Sequence, residues 1–456
     1  MLDKFFQPKS IAVIGASRKK GKVGHAIVEN LKKSFRGKIY PVNPFAQEIL
    51  GLKCYKSVTE IEDKIDLAII TVKAEIVEQV LKECKKAGIR NVIIISAGFS
   101  EVGNEKLEKR IKNYVKKNKI RVIGPNCIGI YDAYSGVDTL FWSAEKTKKP
   151  EKGYVGFISQ SGALGLALLD TYAERGVGIS KFVSLGNKID VDETDVMEYF
   201  FRDPSIRVIS MYVESLSNGR KFMKITSSGV RKKPVVVLKA GRSEKGKKAV
   251  KSHTGAMAGD YAVYSAAFRQ CGAIEAKDLE ELIDFTKVLA IEREMKGNRI
   301  CIVTNGGGFG IIATDQVENE GLQLAELSDG TIKTLKEILP AHAVASNPVD
   351  LTGDADSERY KHALEVVFAD RNVDGVCVIA LMQLAPLDKG IVEVLEECKS
   401  FGKPFVVCAC GSCYTMELAR KLESRGIAVY PTPHRAIKAL SVLYHYGKVL
   451  RKFGKK

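Results

Sequence analysis

One histidine lies in an unusual setting, a segment rich in glycine and lysine. His253 belongs to GRSEKGKKAVKSHTGAMAGD, residues 241–260, whose glycines predict a flexible loop. Positive charge nearby favours the neutral, nucleophilic imidazole and attracts an anion; it comes from Lys247, Lys248 and Lys251. A lone histidine is more often structural or exposed, but this setting favours a histidine that accepts a phosphoryl group.

A carboxylate and a predicted helix start could act with this histidine. Glu214 ends the predicted strand VISMYVE, and it could accept one ring N–H so that the other nitrogen faces phosphorus. The alternative is a solvated acid at a strand end. In GFISQSGALG, Ser161 is a natural N-cap of a helix whose N-terminus can bind an anion. A serine-hydrolase elbow is excluded, because Ser159 and Ala163 stand where that motif needs glycine.

A second strand, glycine turn and helix start follow in ICIVTNGGGFG. Its free backbone amides are those of Asn305, Gly306, Gly307 and Gly308. Two helix starts that face one another would stabilise a phosphoryl group, each by about 0.3–1 kcal/mol when exposed. The later segment SNPVDLTGDADSERYKHAL is interpreted as a loop that enters a helix, without a chemical role.

A further glycine turn near the N-terminus predicts another phosphate site. The strand IAVIG runs into GASRKKGKVG, where Gly15, Gly21 and Gly24 let the backbone approach a phosphate at a helix start. The spacing differs from G-x-G-x-x-G, and the second strand ends at Asn43 without the carboxylate that holds a ribose in dinucleotide sites. NAD is therefore disfavoured, and coenzyme A, with its 3′-phosphate, fits better.

Other strand ends of this first sheet can rim the same crevice. Ligands of open α/β sheets bind outside the carboxyl ends of the strands. The strand ends in question are Val72 with Lys73, residues 96–99 and residues 124–127. Each of them alone is also compatible with an ordinary loop.

Short β-branched runs alternate with amphipathic helical stretches, which predicts parallel sheets with right-handed crossovers. The predicted strands form three series: 11–15, 38–42, 66–72, 91–97 and 121–125; 154–159, 181–186, 208–214 and 234–240; 299–305, 375–381, 404–410 and 427–432. We therefore expect three consecutive α/β domains. They cover residues 1–133, 153–294 and 295–456, with a polar linker at 134–152.

The composition restricts the classes of function. The chain has 456 residues and a net charge of +17, which favours anionic partners. No nucleic-acid motif accompanies the charge, no apolar run is long enough to span a membrane, and no signal peptide is recognisable, so the cytoplasm is the predicted location. Ten cysteines are then expected to be reduced core residues, and the cluster Cys408, Cys410 and Cys413 lacks a nearby fourth metal ligand.

Together the motifs resemble the α subunit of ADP-forming acetyl-CoA synthetases, also called NDP-forming acyl-CoA synthetases, in the succinyl-CoA synthetase superfamily. IGAS, GKVG, YPVNP, SAGFSE and GPNCIGI resemble its CoA-binding domain. GFISQSGALG, YVES and SHTGAMAGD resemble its phosphohistidine elements, and TNGGGFG with NPVDLTGD resembles its ligase domain. The resemblance covers essentially the whole chain. It implies a Rossmann-like CoA-binding domain followed by two flavodoxin-like, succinyl-CoA synthetase-like domains.

The resemblance also implies a reaction and its residues. Acyl-CoA, phosphate and ADP would give carboxylic acid, CoA and ATP, through acyl phosphate and a phosphohistidine at His253 that Glu214 orients. The implied phosphate-binding residues are Ser161, Gly162, Ala163, Asn305, Gly306, Gly307 and Gly308. The implied contacts to CoA or acetyl-CoA are Gly15, Ala16, Ser17, Lys22, Asn43, Val72, Lys73, Ser96, Ala97, Gly98, Asn126 and Cys127.

Two departures from the family shape these expectations. No stretch remains for the family's ATP-grasp domain, which implies that ADP or ATP with Mg²⁺ binds a separate ATP-grasp β subunit, in an α2β2 heterotetramer. Leu166 stands where succinyl-CoA synthetases carry a substrate-linked tyrosine, which favours acetate or another monocarboxylic acid. The alternatives are a succinyl-CoA ligase α subunit, disfavoured by the third domain, and a CoA- or nucleotide-sensing protein without catalysis, disfavoured by the intact histidine, glutamate and serine.

Overall fold

The computed structural model describes residues 2–142, 146–254 and 260–454, and within 251–254 it describes the backbone only. The chain forms two compact units, Met1–Leu279 and Glu280–Lys456. The first unit contains two sheets and the second unit contains one. Mixed α/β structure with parallel sheets confirms the predicted fold class.

The first sheet is parallel and carries the order β2-β1-β5-β6-β7. Its region comprises α1 (Asp3–Phe6), β1 (Ser10–Ile14), α2 (Val23–Ser34), β2 (Lys38–Val42), β3 (Glu48–Ile49), β4 (Leu52–Lys53), β5 (Leu67–Ile70), α3 (Ala74–Lys86), β6 (Asn91–Ile94), α4 (Glu105–Lys117), β7 (Arg121–Ile123) and β8 (Ile130–Asp132). The strands β3 and β4 form a separate hairpin. The order reverses between β1 and β5, where open α/β sheets bind ligands.

The second sheet has the order β13-β12-β11-β9-β10-β8. Its new elements are β9 (Lys152–Ser159), α5 (Gly162–Glu174), β10 (Ile179–Ser184), α6 (Glu193–Arg202), β11 (Val208–Val213), α7 (Gly219–Gly229), β12 (Val235–Lys239), α8 (Glu244–Thr254), α9 (Tyr261–Cys271) and β13 (Ile274–Ala276). All of its pairs are parallel except β8 with β10. Its order reverses between β9 and β11, which defines a second crevice.

One hydrophobic core joins these two sheets. It contains Val13 and Ile69 from the first sheet together with Ile158, Val183 and Ile209 from the second. The antiparallel strand β8 continues directly from the first-sheet region and closes the edge of the second sheet. Apolar burial shared across both sheets explains why they form a single compact unit.

The second unit repeats the same plan. Its elements are α10 (Leu279–Ile291), β14 (Arg299–Thr304), α11 (Gly307–Asn319), β15 (Gln323–Leu324), α12 (Asp329–Ile338), β16 (Val349–Asp350), α13 (Ser357–Ala369), β17 (Gly375–Ile379), α14 (Ile391–Glu397), β18 (Phe405–Cys408), α15 (Cys413–Ser424), β19 (Val429–Tyr430) and α16 (Pro433–Gly454). The sheet order is β15-β14-β17-β18-β19, with β16 also paired to β14. The order reverses between β14 and β17.

The predicted strands all occur, with their ends shifted by a few residues. The short strands β3, β4, β8, β13, β15 and β16 were not predicted. Strands of two or three residues carry too little alternation for a pattern to reveal them. Of these, β8 matters most because it ties the first-sheet region to the second sheet.

Two stretches pack differently from simple connections. In the predicted linker 134–152, Val137 and Leu140 are fully buried and Asp138 forms an ion pair with Lys149.

The helix α10 packs within the second unit, where Arg435 Nε lies 2.7 Å from Asp284 Oδ2 and Lys287 Nζ lies 2.8 Å from Glu423 Oε1. These ion pairs explain why the compact units divide at 279/280, before the predicted boundary at 294/295.

Eight cysteines are buried, Cys410 is half-buried and Cys413 is exposed, all as free thiols. The described residues contain no group of three metal-ligating side chains. In the described part of the chain, no helix has both the length and the apolar character that a membrane span requires.

The close approach of α2 to β1 predicts a glycine requirement at Gly24. A Cβ there would lie 2.2 Å from the carbonyl oxygen of Gly15. We expect Gly24→Ala to lower the free energy of unfolding of the first unit by about 1–3 kcal/mol through this overlap. The measurement is the denaturation midpoint of the first unit in a denaturant titration. Gly219→Ala is the control, since a Cβ at Gly219 meets nothing within 4 Å. Equal stability of the two variants would contradict the prediction.

Candidate functional site

The candidate site is a cavity of about 580 Å³ in the first unit. It lies at the carboxyl ends of both sheets of that unit. The predicted residues that line it are Val72, Lys73, Ser96, Ala97, Asn126, Cys127, Ser161, Gly162, Ala163 and Glu214. The structure therefore brings predicted CoA contacts and predicted phosphate contacts to one cavity.

Other predicted CoA contacts border this cavity without lining it. The glycine turn places Gly15 at the end of β1 with φ +93°, and the side-chain amide of Asn43 donates to the carbonyl of Ala16 at 2.7 Å. Ser17, Lys22 and Gly98 also lie outside the lining, whereas Val23, the first residue of α2, belongs to it. The turn therefore approaches the cavity through the start of α2.

The glycine turn has the features of a phosphate site. Gly15 has no room for a side chain, because a Cβ would lie 2.6 Å from Thr71 Oγ1. No side chain caps the N-terminus of α2, so its first N–H groups stay available to an anion. His25 was not predicted as part of the turn; it is buried, and its Nδ1 lies 3.0 Å from the carbonyl oxygen of Ser17. This contact fixes the path of the turn.

A loop after β6 curls around a carboxylate. Glu101 Oε1 accepts the N–H groups of Gly98 at 2.6 Å and Phe99 at 3.1 Å. Burial raises the pKa of Glu101, but hydrogen bonds from Asn187 and from these N–H groups outweigh it, and the pKa lies below its ordinary value. Glu101 therefore stays ionised and holds the loop in one conformation.

Asn187 connects this loop to the second sheet. Its Nδ2 donates to Glu101 Oε2 and to Glu108 Oε2, both at 2.7 Å, and its Oδ1 accepts from Asn126 Nδ2 at 3.3 Å. Neither Asn187 nor Glu101 was predicted, because their partners lie far apart in sequence. The contacts align the two sheet edges around the cavity.

Cys127 is a structural thiol. It is buried, its Sγ donates to the carbonyl of Ile94 at 3.4 Å, and burial raises its pKa to about 12. A thiol with this pKa is protonated near neutral pH and is a poor nucleophile. Cys127 therefore contributes to the wall of the cavity rather than to covalent chemistry.

The helix α5 begins at the crevice of the second sheet. Ser161 is its N-cap, as predicted, and its Oγ accepts from the N–H of Leu164 at 3.4 Å. The N–H groups of Gly162 and Ala163, at the start of the helix, have no intrahelical partner and can therefore bind an anion. A Cβ on Gly162 would lie 2.8 Å from Ile128 Cγ2. The helix start therefore lies directly against the first-sheet region.

Glu214 follows β11 on the other side of this crevice. Its side chain is 5% exposed and lines the cavity. Tyr212 lies 3.5 Å away, with its hydroxyl directed at Glu214 Oε1. The second oxygen, Oε2, is buried and has no hydrogen-bond partner among the residues that the structure describes. A buried carboxylate oxygen of this kind requires a donor.

A glutamine that the sequence analysis missed holds Glu214 in place. Gln160 Oε1 accepts the N–H of Glu214 at 2.8 Å and the N–H of Ser215 at 3.0 Å, and its Nε2 donates to Ser215 Oγ at 3.3 Å. Gln160 lines the cavity and is buried. Its side chain thus bridges the ends of β9 and β11. The only feature of the sequence that could have indicated this role is the position of Gln160 between the end of β9 and Ser161.

A buried ion pair supports the loop that follows Glu214. Lys188 Nζ donates to Glu193 Oε2 at 3.0 Å and to the carbonyl of Ser215 at 2.8 Å. Glu193 Oε1 in turn accepts the N–H of Ser217 at 2.6 Å. Because both charged groups are paired and buried, they fix the backbone beyond Glu214.

A buried cation lies within electrostatic range of Glu214. Lys239 ends β12, and its ammonium lies 4.7 Å from the ring centroid of Tyr264. Burial lowers the pKa of Lys239, and the carboxylate of Glu214 opposes that effect. Lys239 therefore adds positive potential beneath the end of the sheet.

The backbone around His253 differs from the predicted loop. The helix α8 extends over Glu244–Thr254 and includes His253. Ser243 stabilises its start, since Ser243 Oγ accepts the N–H of Gly246 at 3.0 Å. The helix contacts the turn at Ser100–Val102, which belongs to the Glu101 loop. The side chain of His253 and residues 255–259 lie outside the described part of the chain.

The predicted anion turn of the second unit is built like that of α5. Asn305, which is buried, accepts the N–H of Leu381 at 2.9 Å and thereby bridges the ends of β14 and β17. Gly306 is the N-cap of α11, and a Cβ on Gly307 would lie 2.7 Å from Asp350 Oδ2. Asp350 belongs to the segment to which no chemistry was attributed. Its carboxylate lies beside the first turn of the helix.

Three family models match successive parts of the chain. Residues 9–133 match a CoA binding domain, residues 152–289 match a succinyl-CoA ligase like flavodoxin domain, and residues 300–453 match a Ligase-CoA domain. The chain is 38% identical to a dinucleotide-forming acetyl-coenzyme A synthetase 1 of Ca. Korarchaeum cryptofilum, solved in complex with phosphate and ADP. That superposition has a TM-score of 0.94 and covers 100% of this chain and 98% of the other.

Two curated relatives align over nearly the whole chain. The chain is 43% identical, over 99% of its length, to acetate–CoA ligase [ADP-forming] I of Archaeoglobus fulgidus, and it spans 64% of that protein. It is 42% identical, over 98% of both chains, to acetate–CoA ligase [ADP-forming] I subunit alpha of Pyrococcus furiosus. The chain thus spans less than two thirds of the first relative and nearly all of the second.

The bridge formed by Gln160 predicts a stability effect. Gln160→Leu leaves the buried N–H groups of Glu214 and Ser215 unpaired, at a cost of about 1–3 kcal/mol for each buried group. We expect a lower denaturation midpoint for the first unit, measured by denaturant titration. Gln79→Leu, at an exposed position, should change stability by less than about 0.5 kcal/mol. A similar midpoint for both variants would show that the bridge does not stabilise the strand ends.

Proposed function

Because this chain belongs to the family of ADP-forming acetate–CoA ligases, we propose that it is the α-type subunit of such an enzyme. The reaction joins acyl-CoA, phosphate and ADP to give the carboxylic acid, CoA and ATP, reversibly. In this proposal the first unit binds CoA and accepts the phosphoryl group. Domains at residues 1–133, 153–294 and 295–456 then correspond to CoA binding, phosphohistidine chemistry and a second ligase function.

The cavity suits acyl-CoA. The N–H groups at the start of α2 and the exposed cations of the glycine turn, Arg18, Lys19, Lys20 and Lys22, suit the phosphates of CoA. The strand ends at Val72, Ser96 and Asn126 lead from that turn towards α5. The thioester would then reach the start of α5, where Gly162 and Ala163 can hold inorganic phosphate.

Two group transfers follow in the proposed mechanism. An oxygen of the bound hydrogen phosphate attacks the thioester carbon, the carbon–sulfur bond breaks to give acyl phosphate, and CoA leaves as a thiol that takes up the proton of the hydrogen phosphate. The imidazole of His253 then attacks phosphorus, the bond between phosphorus and the acyl oxygen breaks, and the carboxylate leaves. The N–H groups at the start of α5 stabilise negative charge on the transferring phosphoryl group.

The observation that carries this proposal is Oε2 of Glu214, which is buried and has no hydrogen-bond partner among the described residues. A buried carboxylate oxygen without a donor, beside a helix start that can bind an anion, does not stabilise the fold. It fits a ring N–H of His253, which would leave the other nitrogen free to attack phosphorus. Gln160 and the Lys188–Glu193 pair position Glu214 for that contact.

The nucleotide step requires a partner in this proposal. We infer a separate ATP-grasp β subunit that binds ADP or ATP with Mg²⁺, in an α2β2 heterotetramer. The relative from Pyrococcus furiosus is named as a subunit alpha, which supports a partner subunit. The start of α11, with Asn305 and Gly306, is the second proposed phosphoryl-binding turn.

Phosphorylation of the chain tests the proposal directly. With labelled acetyl phosphate, the wild type should form an acid-labile, base-stable phosphoryl adduct, and His253→Ala should form none. Glu214→Gln should slow labelling by about 100-fold or more, because the ring loses its orienting acceptor. Rapid-quench measurement of the labelling rate gives each value.

Glu105→Gln is the matched control for the glutamate. Glu105 is exposed in the first turn of α4, so its labelling rate should equal that of the wild type. A label that persists in His253→Ala would contradict the proposed acceptor. A wild type that stays unlabelled, with the partner subunit present, would favour a sensing protein instead.

A further inference from the structure

We propose that Asn187 is a positioning residue that transmits the binding of CoA in the cavity to α8, the helix that includes His253. This inference rests on the proposed function and deepens it, because it names the contact through which the CoA site and the phosphoryl acceptor act on one another. Asn187 follows β10 and lies between Gly186 and Lys188. Its single amide group contacts two segments that are distant from it in sequence, and these contacts define its role.

One side of Asn187 belongs to the cavity. Asn187 lines the cavity together with Asn126, and its Oδ1 accepts from Asn126 Nδ2 at 3.3 Å. The backbone N–H of Asn187 donates to the carbonyl of Pro125 at 2.9 Å. Gly186, which precedes it, has φ +57° and no room for a Cβ beside that carbonyl. The segment therefore packs closely against the residues beyond β7, and a molecule that fills the cavity meets both asparagines.

The other side of Asn187 holds two carboxylates together. Its Nδ2 lies 2.7 Å from Oε2 of Glu101 and 2.7 Å from Oε2 of Glu108, and it lies 3.2 Å from Ser100 Oγ. An amide nitrogen between two carboxylates offsets their repulsion, because each of its two hydrogens can point at one oxygen. Without that amide, Glu101 and Glu108 would face each other as like charges. Asn187 therefore keeps Glu101 in its place within the loop.

The Glu101 loop connects this contact to α8. Glu101 Oε1 accepts the N–H groups of Gly98 and Phe99 at the entry to the turn Ser100–Val102. That turn is the part of the loop in contact with α8. A shift of the Glu101 carboxylate would move the turn, because both N–H groups bind the same oxygen. The position of α8 therefore depends on the carboxylate that Asn187 holds.

The residue after Asn187 reaches the loop of Glu214. Lys188 Nζ donates to the carbonyl of Ser215 at 2.8 Å. Two adjacent residues thus hold the loop beyond Glu214 and the loop in contact with α8, the elements that the proposed phosphoryl transfer brings together. A ligand that orders Asn187 lowers the conformational freedom left to both loops, so α8 becomes ordered at a smaller entropic cost. A filled CoA cavity then favours the arrangement that accepts the phosphoryl group.

The experiment measures hydrogen–deuterium exchange of the α8 backbone amides in the full-length chain, with and without saturating CoA. In the wild type, CoA should slow this exchange by about 5-fold or more, the lower end of the coupling found between linked sites. Asn187→Leu keeps the branched shape of the side chain and removes its hydrogen bonds to the carboxylates, so CoA should then leave the α8 exchange unchanged. Calorimetry confirms for each variant that CoA is bound, which removes differences in affinity from the comparison.

Asn118→Leu is the matched control. Asn118 Nδ2 donates to the carbonyl of Tyr114 within α4 at 2.8 Å, so the same change of residue type disturbs a local contact, and the α8 response to CoA should persist. Glu101→Gln tests the Asn187 contact from its other side, because an amide nitrogen that faces Asn187 Nδ2 cannot accept a hydrogen bond. The α8 response should be lost again, and this variant supplies the test where Asn187→Leu does not fold.

The outcomes separate this inference from the proposed function. A CoA response that persists in Asn187→Leu and Glu101→Gln, or a wild type whose α8 exchange ignores bound CoA, would overturn the coupling; a label on His253 would still leave the proposed reaction standing. A wild type that shows the α8 response but takes up no label would contradict the proposed acceptor and leave the coupling standing. A wild type that binds no CoA would overturn both. Loss of the response in these two variants, but not in Asn118→Leu, would support the inference.

Discussion

The hydrogen bonds between Gln160 and the backbone of Glu214 and Ser215 are the constraint on which the site depends. They join the ends of β9 and β11 where the order of the second sheet reverses. At such a point the two strands diverge into loops on opposite faces, and their terminal N–H groups lose the ladder partners that hold them elsewhere. The side-chain amide replaces those partners, so the Glu214 carboxylate stays beside the start of α5.

In the second unit, the shorter side chain of Asn305 makes the corresponding contact between two strand ends. Asn305 follows β14 as Gln160 follows β9, and its amide pairs with the backbone of Leu381 beyond β17. In both units a glycine-containing helix start comes directly after the amide. One short segment therefore supplies both the amide that bridges the two strand ends and the helix start with free N–H groups.

The shared core of the first unit turns two separate crevices into one cavity. Strand β8 and the apolar side chains common to both sheets hold their carboxyl ends together, and Asn187 links the loops above them. Several charged groups in this region are paired or hydrogen-bonded, as in the Lys188–Glu193 pair and the Glu101 loop. By contrast, Oε2 of Glu214 is buried without a partner among the described residues. Burial of a carboxylate oxygen without a donor is costly for a fold, and unmet groups of this kind are expected at functional sites.

Local sequence was enough to predict the βα alternation, the glycine turns and the Ser161 cap, because strand periodicity, capping and helix-start chemistry are short-range properties. The long parallel strands were predicted for the same reason. The pairing of Glu214 with His253 stays a prediction, since the side chain of His253 lies outside the described residues. Tertiary structure alone decided which strand ends share a cavity, that Gln160 and Asn187 position them, and that Ile128 lies against Gly162. These contacts join residues far apart in sequence, and no local pattern encodes the strand order or the short antiparallel β8 that bring them together. The segment around His253 is helical as far as Thr254, because only Gly246 of its glycines lies within the helix and the Ser243 hydroxyl accepts the N–H of Gly246 at the helix start.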